Sequence, residues 1–182
     1  MGAWKGAIKI IDSHSQMITA LAHLKNESVF GFDTETRPAF QKGVSYQPAL
    51  IQVAAEKCVY LFRICALNNI DPLVDFFEDE TALKCGVGIL NDVNELRDLQ
   101  NFNPNGFVEI STISRKLGYK QSGLRNLGAI LMGIRISKAS QLSNWERYRL
   151  DFKQVQYAAT DAWLSREIYL KLSAQLEESA QE

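Results

Sequence analysis

The 182-residue sequence predicts an α/β fold: a mixed central sheet flanked by helices, with a helical C-terminal half. Three observations predict it. Apolar and β-branched runs at 29–35, 49–55 and 58–63 follow one another over short connections, as antiparallel strands do. Further strand-like runs at 83–87 and 107–110 alternate with a helical stretch, the pattern of a sheet covered by helices. From Thr112 onward the chain turns helical and ends in a long helix near 151–176.

The elements follow in order. Ile8 to Ile11 is a short strand. Ser13-x-x-Gln16 is a capping-box signature that opens a helix carrying Met17, Leu21 and Leu24 on one stripe. Glu56-Lys57 is short enough to join the second and third runs as a hairpin. Asp71 is placed to cap a helix with Pro72 at its first position, running to Glu78. A helix is expected from about Asn91 to Gln100, short ones at 112–117 and 123–132, and a loop through Trp145. No repeat, low-complexity tract or long linker divides the chain. Residues 1–176 are therefore expected to form a single domain, with the acidic end 177–182 frayed.

Composition narrows the function classes. The chain is 46% hydrophobic and 23% charged, and it has no apolar run near the roughly 20 residues that cross a bilayer. The opening residues lack the apolar core and cleavage site of a signal peptide, and Gly6 stands where a myristoylation motif wants Ser or Thr. The expectation is an intracellular, cytoplasmic protein. Cys58, Cys65 and Cys85 are odd in number and sit among apolar neighbours, as reduced structural thiols do. The net charge is −1, but residues 115–153 hold nine basic and two acidic side chains, so the remainder carries −8. That asymmetry suits a basic groove beside an acidic site, and a solvated helical surface equally well.

Three places can carry chemistry. Strand alternation puts Val29, Gly31, Asp33 and Glu35 on one face and Phe30, Phe32 and Thr34 on the other. Two carboxylates then project together, either solvated at the Arg37-Pro38 turn or holding a hard divalent cation. Tyr157 and Asp161 share a helix face that Leu164 and Ile168 continue toward the core. A buried ionised Asp there needs an arginine partner, a capping role or a metal. Asp92, in Gly86-Val-Gly-Ile-Leu-Asn-Asp92, lies where a strand gives way to a helix, a place where caps also occur.

Taken together, these segments resemble the DEDD superfamily of 3'-to-5' exonucleases, in its tyrosine-bearing branch of ribonuclease D and Werner-type exonucleases. Gly31-Phe-Asp-Thr-Glu35 resembles the first motif, Gly86-x-Gly-x-x-x-Asp92 the second and Tyr157-Ala-Ala-Thr-Asp161 the third. Ala49-Leu-Ile-Gln52 and Ser143-Asn-Trp145 are similar to neighbouring family segments, and the likeness spans about residues 8 to 170. Thr36 departs from relatives that carry tryptophan there.

The resemblance implies a ribonuclease H-like fold and a two-metal-ion hydrolase with Mg2+ or Mn2+ as cofactor. By that resemblance Asp33, Glu35 and Asp161 hold one ion, Asp33 and Asp92 a second, and Tyr157, near Glu35, orients the attacking water. The partner implied is nucleic acid, DNA or RNA, with a free 3' end, and neither a membrane nor an organic cofactor is expected. Thr36 would hold the terminal sugar. Lys138, Arg147 and Arg149 are candidates for phosphate contacts, against the ordinary role of solvated surface charges. Trp145 is a candidate for base stacking, against a place in the core. The competing readings are a catalytically silent nucleic-acid-binding domain of the same fold and a hydrolase of short oligonucleotides or nucleotides.

Overall fold

The computed structural model describes residues 2–137 and 140–180. Six strands form one mixed sheet: β1 (Ala7–Ile11), β2 (Val29–Thr36), β3 (Pro48–Ala54), β4 (Cys58–Arg63), β5 (Leu83–Gly86) and β6 (Phe107–Glu109). Their order across the sheet is β1-β4-β3-β2-β5-β6. β2, β3 and β4 run antiparallel to their neighbours within that trio, whereas β1 joins β4, β5 joins β2, and β6 joins β5 in parallel. The β3–β4 hairpin turns through Glu56-Lys57, closed by Ala55 N–H donating to the Cys58 carbonyl.

Helices cover both faces. On one, α1 (His14–Leu24), α2 (Val74–Glu78) and α3 (Ile89–Leu99) bury Met17, Phe76, Phe77, Ile89 and Leu96 against Phe30, Phe32, Ile51 and Phe62 of the sheet. On the other lie α4 (Ile110–Lys116), α5 (Leu124–Met132) and α6 (Phe152–Ser179). There Leu50, Leu61 and Cys85 meet Ala158, Ala162, Leu164 and Ile168 of α6. None of the described helices is long and apolar enough to cross a membrane.

Local chemistry explains the element ends. Asp151 and Gln154 form a reciprocal capping box at the start of α6. The helix runs to Ser179, three residues into the segment expected to fray. At α1 the box is shifted by one residue: Ser13 accepts from Gln16 N–H, while the Gln16 side chain accepts from Asp12 N–H. Asp71 does not cap α2. It opens a 3-10 turn over Asp71–Leu73, and its own N–H donates to the Asn69 side chain. Gly88, at φ 78°, makes the left-handed turn from β5 into α3, a conformation open mainly to glycine.

A buried lysine ties β5 to α2. Lys84 is fully buried, donates to the carbonyls of Phe76 (2.9 Å) and Asp79 (2.8 Å), and lies over the rings of Phe76 and Phe107. Carbonyl dipoles and ring faces stand in for a counter-ion. Burial lowers its pKa to about 8.

Candidate active site

Alternation along β2 sends Phe30 and Phe32 into the core beneath α1 and α2, and Asp33 and Glu35 toward α6. The approach of α6 is set by Gly31. A Cβ at this position would lie 1.7 Å from the Ala162 carbonyl oxygen, so no other residue lets the helix pack this closely on the strand. Arg166 fastens the contact by donating from Nε to the Val29 carbonyl and pairing with Glu27 and Glu167. Asp161, one residue before Ala162, is thereby carried onto the two strand carboxylates.

Ligand oxygens of Asp33, Glu35 and Asp161 lie within 4.8 Å of one another. Glu35 and Asp161 are buried, Asp33 partly so. Burial, together with mutual repulsion, pushes Asp33 well above the carboxylate range and Glu35 to about 9. Burial raises Asp161 to about 6, against the lowering influence of the Tyr157 hydroxyl and the Arg125 charge. Tyr157 itself is driven upward by burial and by the nearby acids, so it remains a neutral phenol at physiological pH.

Asp92 arrives from the other face of the sheet. It is the fourth residue of α3, so it is not the cap of that helix, and the first N–H groups there are taken by Glu109, which accepts from Gly88 and Ile89. The Asp92 carboxylate accepts instead from the Thr34 hydroxyl, on the strand position between Asp33 and Glu35. It lies outside the tight three-acid group, yet its charge is the largest electrostatic influence raising Asp33. Burial raises Asp92 to about 6. The acids thus gather at the C-terminal ends of the parallel pair β2 and β5, where open α/β sheets place ligands.

The donor set fits a hard divalent cation. Asp161 Oδ1 is buried and meets no hydrogen-bond partner, and no arginine forms an ion pair with Asp161 among the described residues. Three clustered carboxylates with an orphaned oxygen are what an oxygen-preferring ion satisfies.

The proposed substrate contacts divide differently. Trp145 is 1% exposed and packs in the core with its ring 6.2 Å from that of Tyr157, so stacking on a base is ruled out by burial, and the indole buttresses the tyrosine. Arg147 is exposed and paired with Asp151 at 2.9 Å, and Arg149 sits over the Tyr148 ring; neither lines the cleft beside the acids. Thr36 ends β2 at a register irregularity, half-buried, outside the cleft lining. Lys138 lies outside the described residues.

Sequence reading overlooked three groups. Thr34 orients Asp92. Gln52, opposite Asp33 in the β2–β3 register, is fully buried beside the acids with neither of its amide atoms in a close hydrogen bond. Arg125, at the start of α5, lines the cleft. Gln52 ends the Ala49-Leu-Ile-Gln52 segment, and its polar side chain inside an otherwise apolar strand was the available signal. Arg125 had only its place in the basic stretch.

A family model described as 3'-5' exonuclease matches residues 8–177. The chain belongs to the 3'-5' exonuclease family. Within that family it is 30% identical over 177 residues to a 3'-5' exonuclease of Arabidopsis thaliana, an alignment covering 91% of this chain and 60% of the relative. It is also 27% identical to ribonuclease D of Haemophilus influenzae, over 92% of this chain and 42% of the relative. The chain thus spans less than two thirds of the length of either relative. In fold it matches the EXO domain of Aedes aegypti Nibbler, with a TM-score of 0.87 at 22% identity, covering 98% of this chain and 94% of that domain. Escherichia coli RNase D superposes with a TM-score of 0.86 at 19% identity, covering 95% of this chain and 46% of that one. The mixed six-stranded sheet with flanking helices is the exonuclease-domain fold.

Proposed function

We propose that this exonuclease-family chain hydrolyses phosphodiester bonds from the 3' end of nucleic acid, releasing nucleoside monophosphates, with Mg2+ or Mn2+ held by Asp33, Glu35 and Asp161. The observation that carries this reading is the convergence of those three carboxylates from β2 and α6, with one Asp161 oxygen left without a partner. Asp92, steadied by Thr34, is the candidate to complete a second ion's surroundings. Bound cations would supply Lewis-acid charge to the phosphoryl oxygens and lower the pKa of an attacking water.

The chain's own groups have distinct tasks. The Tyr157 phenol, kept neutral by its surroundings and backed by Trp145, orients a water by hydrogen bonding rather than acting as a base. That water's oxygen attacks phosphorus, the bond to the 3' oxygen of the shortened strand breaks, and a proton passes to that oxygen. Thr36, next to Glu35 at the end of β2, is the candidate for the terminal sugar, reached from the rim of the cleft. The filled set of acids disfavours a silent binding domain on this fold.

The test is incubation of the protein with 5'-labelled single strands and duplexes of DNA and RNA, with Mg2+, Mn2+ or chelator. A ladder shortening from the 3' end only when metal is present is the expected result. Cleavage that persists in chelator, or starts internally, overturns the reading, and cleavage confined to oligomers of a few residues reassigns the substrate.

A further inference from the structure

The cleft beside the carboxylates has a second wall of opposite character. Gly123, Leu124, Arg125 and Asn126, the cap and first turn of α5, line the same cavity of about 440 Å³ as Asp33, Glu35 and Asp161. Gly123 offers no capping side chain, and a Cβ there would meet nothing within 4 Å, so the turn borders open space. Arg125 is the basic side chain of this lining among the described residues. Its Nε is buried without a hydrogen-bond partner, and none of the ion pairs among the described residues includes it. Yet its charge reaches Asp161 across the cleft. A guanidinium half removed from water, with its Nε unpartnered among the described residues and an acidic wall opposite, is placed to receive an anion that comes between.

We propose that Arg125 is a substrate-contacting residue that binds a non-bridging phosphate oxygen in one of the last two linkages of the strand, opposite the cation-holding acids. The inference rests on the nuclease reading of the same cleft. The pairing is chemically consistent: carboxylates take the cation, the guanidinium takes the phosphate, and the uncapped N–H groups of α5 add favourable dipole charge on the same side.

The test is binding rather than turnover. Fluorescence anisotropy with Ca2+ in place of the reactive ion compares the wild type, Arg125→Met and Arg125→Lys on single strands carrying one neutral methylphosphonate at each of the last four linkages. Arg125→Met is expected to weaken binding of the unmodified strand roughly tenfold to hundredfold, the effect of losing one charge-assisted contact. Arg125→Lys should fall between. A neutral linkage at one of the last two positions should weaken the wild type and leave Arg125→Met unchanged. Mn2+ affinity, read by electron paramagnetic resonance, should not fall in the variants. Unaltered strand binding by Arg125→Met overturns the proposal, as does equal sensitivity of both proteins to every neutral linkage. A loss that tracks reduced Mn2+ affinity also overturns it, because Arg125 is then only a counter-charge for Asp161. If Arg125→Met does not fold, the linkage series on Arg125→Lys carries the same decision. Failure of the nuclease reading looks different: the wild type would bind strands and show no metal-dependent shortening.

Discussion

At Asp161 the chain keeps a carboxylate only 5% exposed, with one oxygen that no described protein group meets. Such a group is destabilising unless something outside the protein completes it. The same holds for Asp33, whose neighbours Asp92, Glu35 and Asp161 all repel its ionised form. On the proposed reading Asp33→Ala should therefore lower turnover by roughly a thousandfold or more, since several kcal/mol of charge stabilisation would depend on the ion Asp33 would hold. Melted in chelator, this variant should be as stable as the wild type or more so, because repulsion is relieved. A variant that is active, or inactive only because it is unfolded, contradicts that account. Trp145 offers a contrasting case. As a core side chain beside Tyr157, its replacement in Trp145→Ala should cost about 3–5 kcal/mol in urea unfolding, the range for deleting a large buried aromatic. A stacking residue on the surface would instead change strand affinity and leave stability alone.

Among the elements, the contact between β2 and α6 decides whether the site exists. Gly31 lets the Ala162 carbonyl come where a Cβ would stand, and Arg166 secures the same stretch of strand. Gly31→Ala must push α6 outward, taking Asp161 from Asp33 and Glu35. We expect a loss of about 3 kcal/mol from overpacking, measured by urea denaturation, and weaker Mn2+ binding by titration. Unchanged metal affinity in a folded Gly31→Ala protein would show that the carboxylates do not depend on this approach. Glu109 has an analogous role between elements, joining the end of β6 to the first turns of both α3 and α4 through Gly88, Ile89 and Ser111 N–H groups. It holds in place the helix that carries Asp92.

For the molecule as a whole, the acid cluster links stability to pH and to cations. In the unfolded chain these carboxyls lose their protons near pH 4. In the fold Asp92 and Asp161 keep theirs to about 6 and Glu35 to about 9, because of burial in each case and, for Glu35, of Asp161 as well. Between those limits the folded state binds more protons than the unfolded one, so without cations stability falls as pH rises from about 4 toward 9. Divalent ions held by these acids would displace those protons and so would bind more tightly at higher pH. Thermal melts should show a midpoint in chelator that declines from about pH 5 to about pH 8, and a rise on adding Mn2+ that is larger at the higher pH. A midpoint in chelator that stays flat or climbs over this range refutes the linkage.

Local patterns in the sequence picked out the candidate acids and the elements that bear them. Alternation put Asp33 and Glu35 on one face of β2, and helical spacing joined Tyr157 to Asp161 on α6. These are local rules of period 2 and period 3.6, and they can be read from neighbours in the chain. What meets across long separations came from packing: α6 descending onto Gly31, Thr34 donating to Asp92, Trp145 buried behind Tyr157 rather than exposed to a base, and Arg125 rather than Arg147 or Arg149 facing the acids. Basic and aromatic side chains look alike in sequence whether they line a cleft, fill a core or face water, because burial and pairing arise from packing between distant segments.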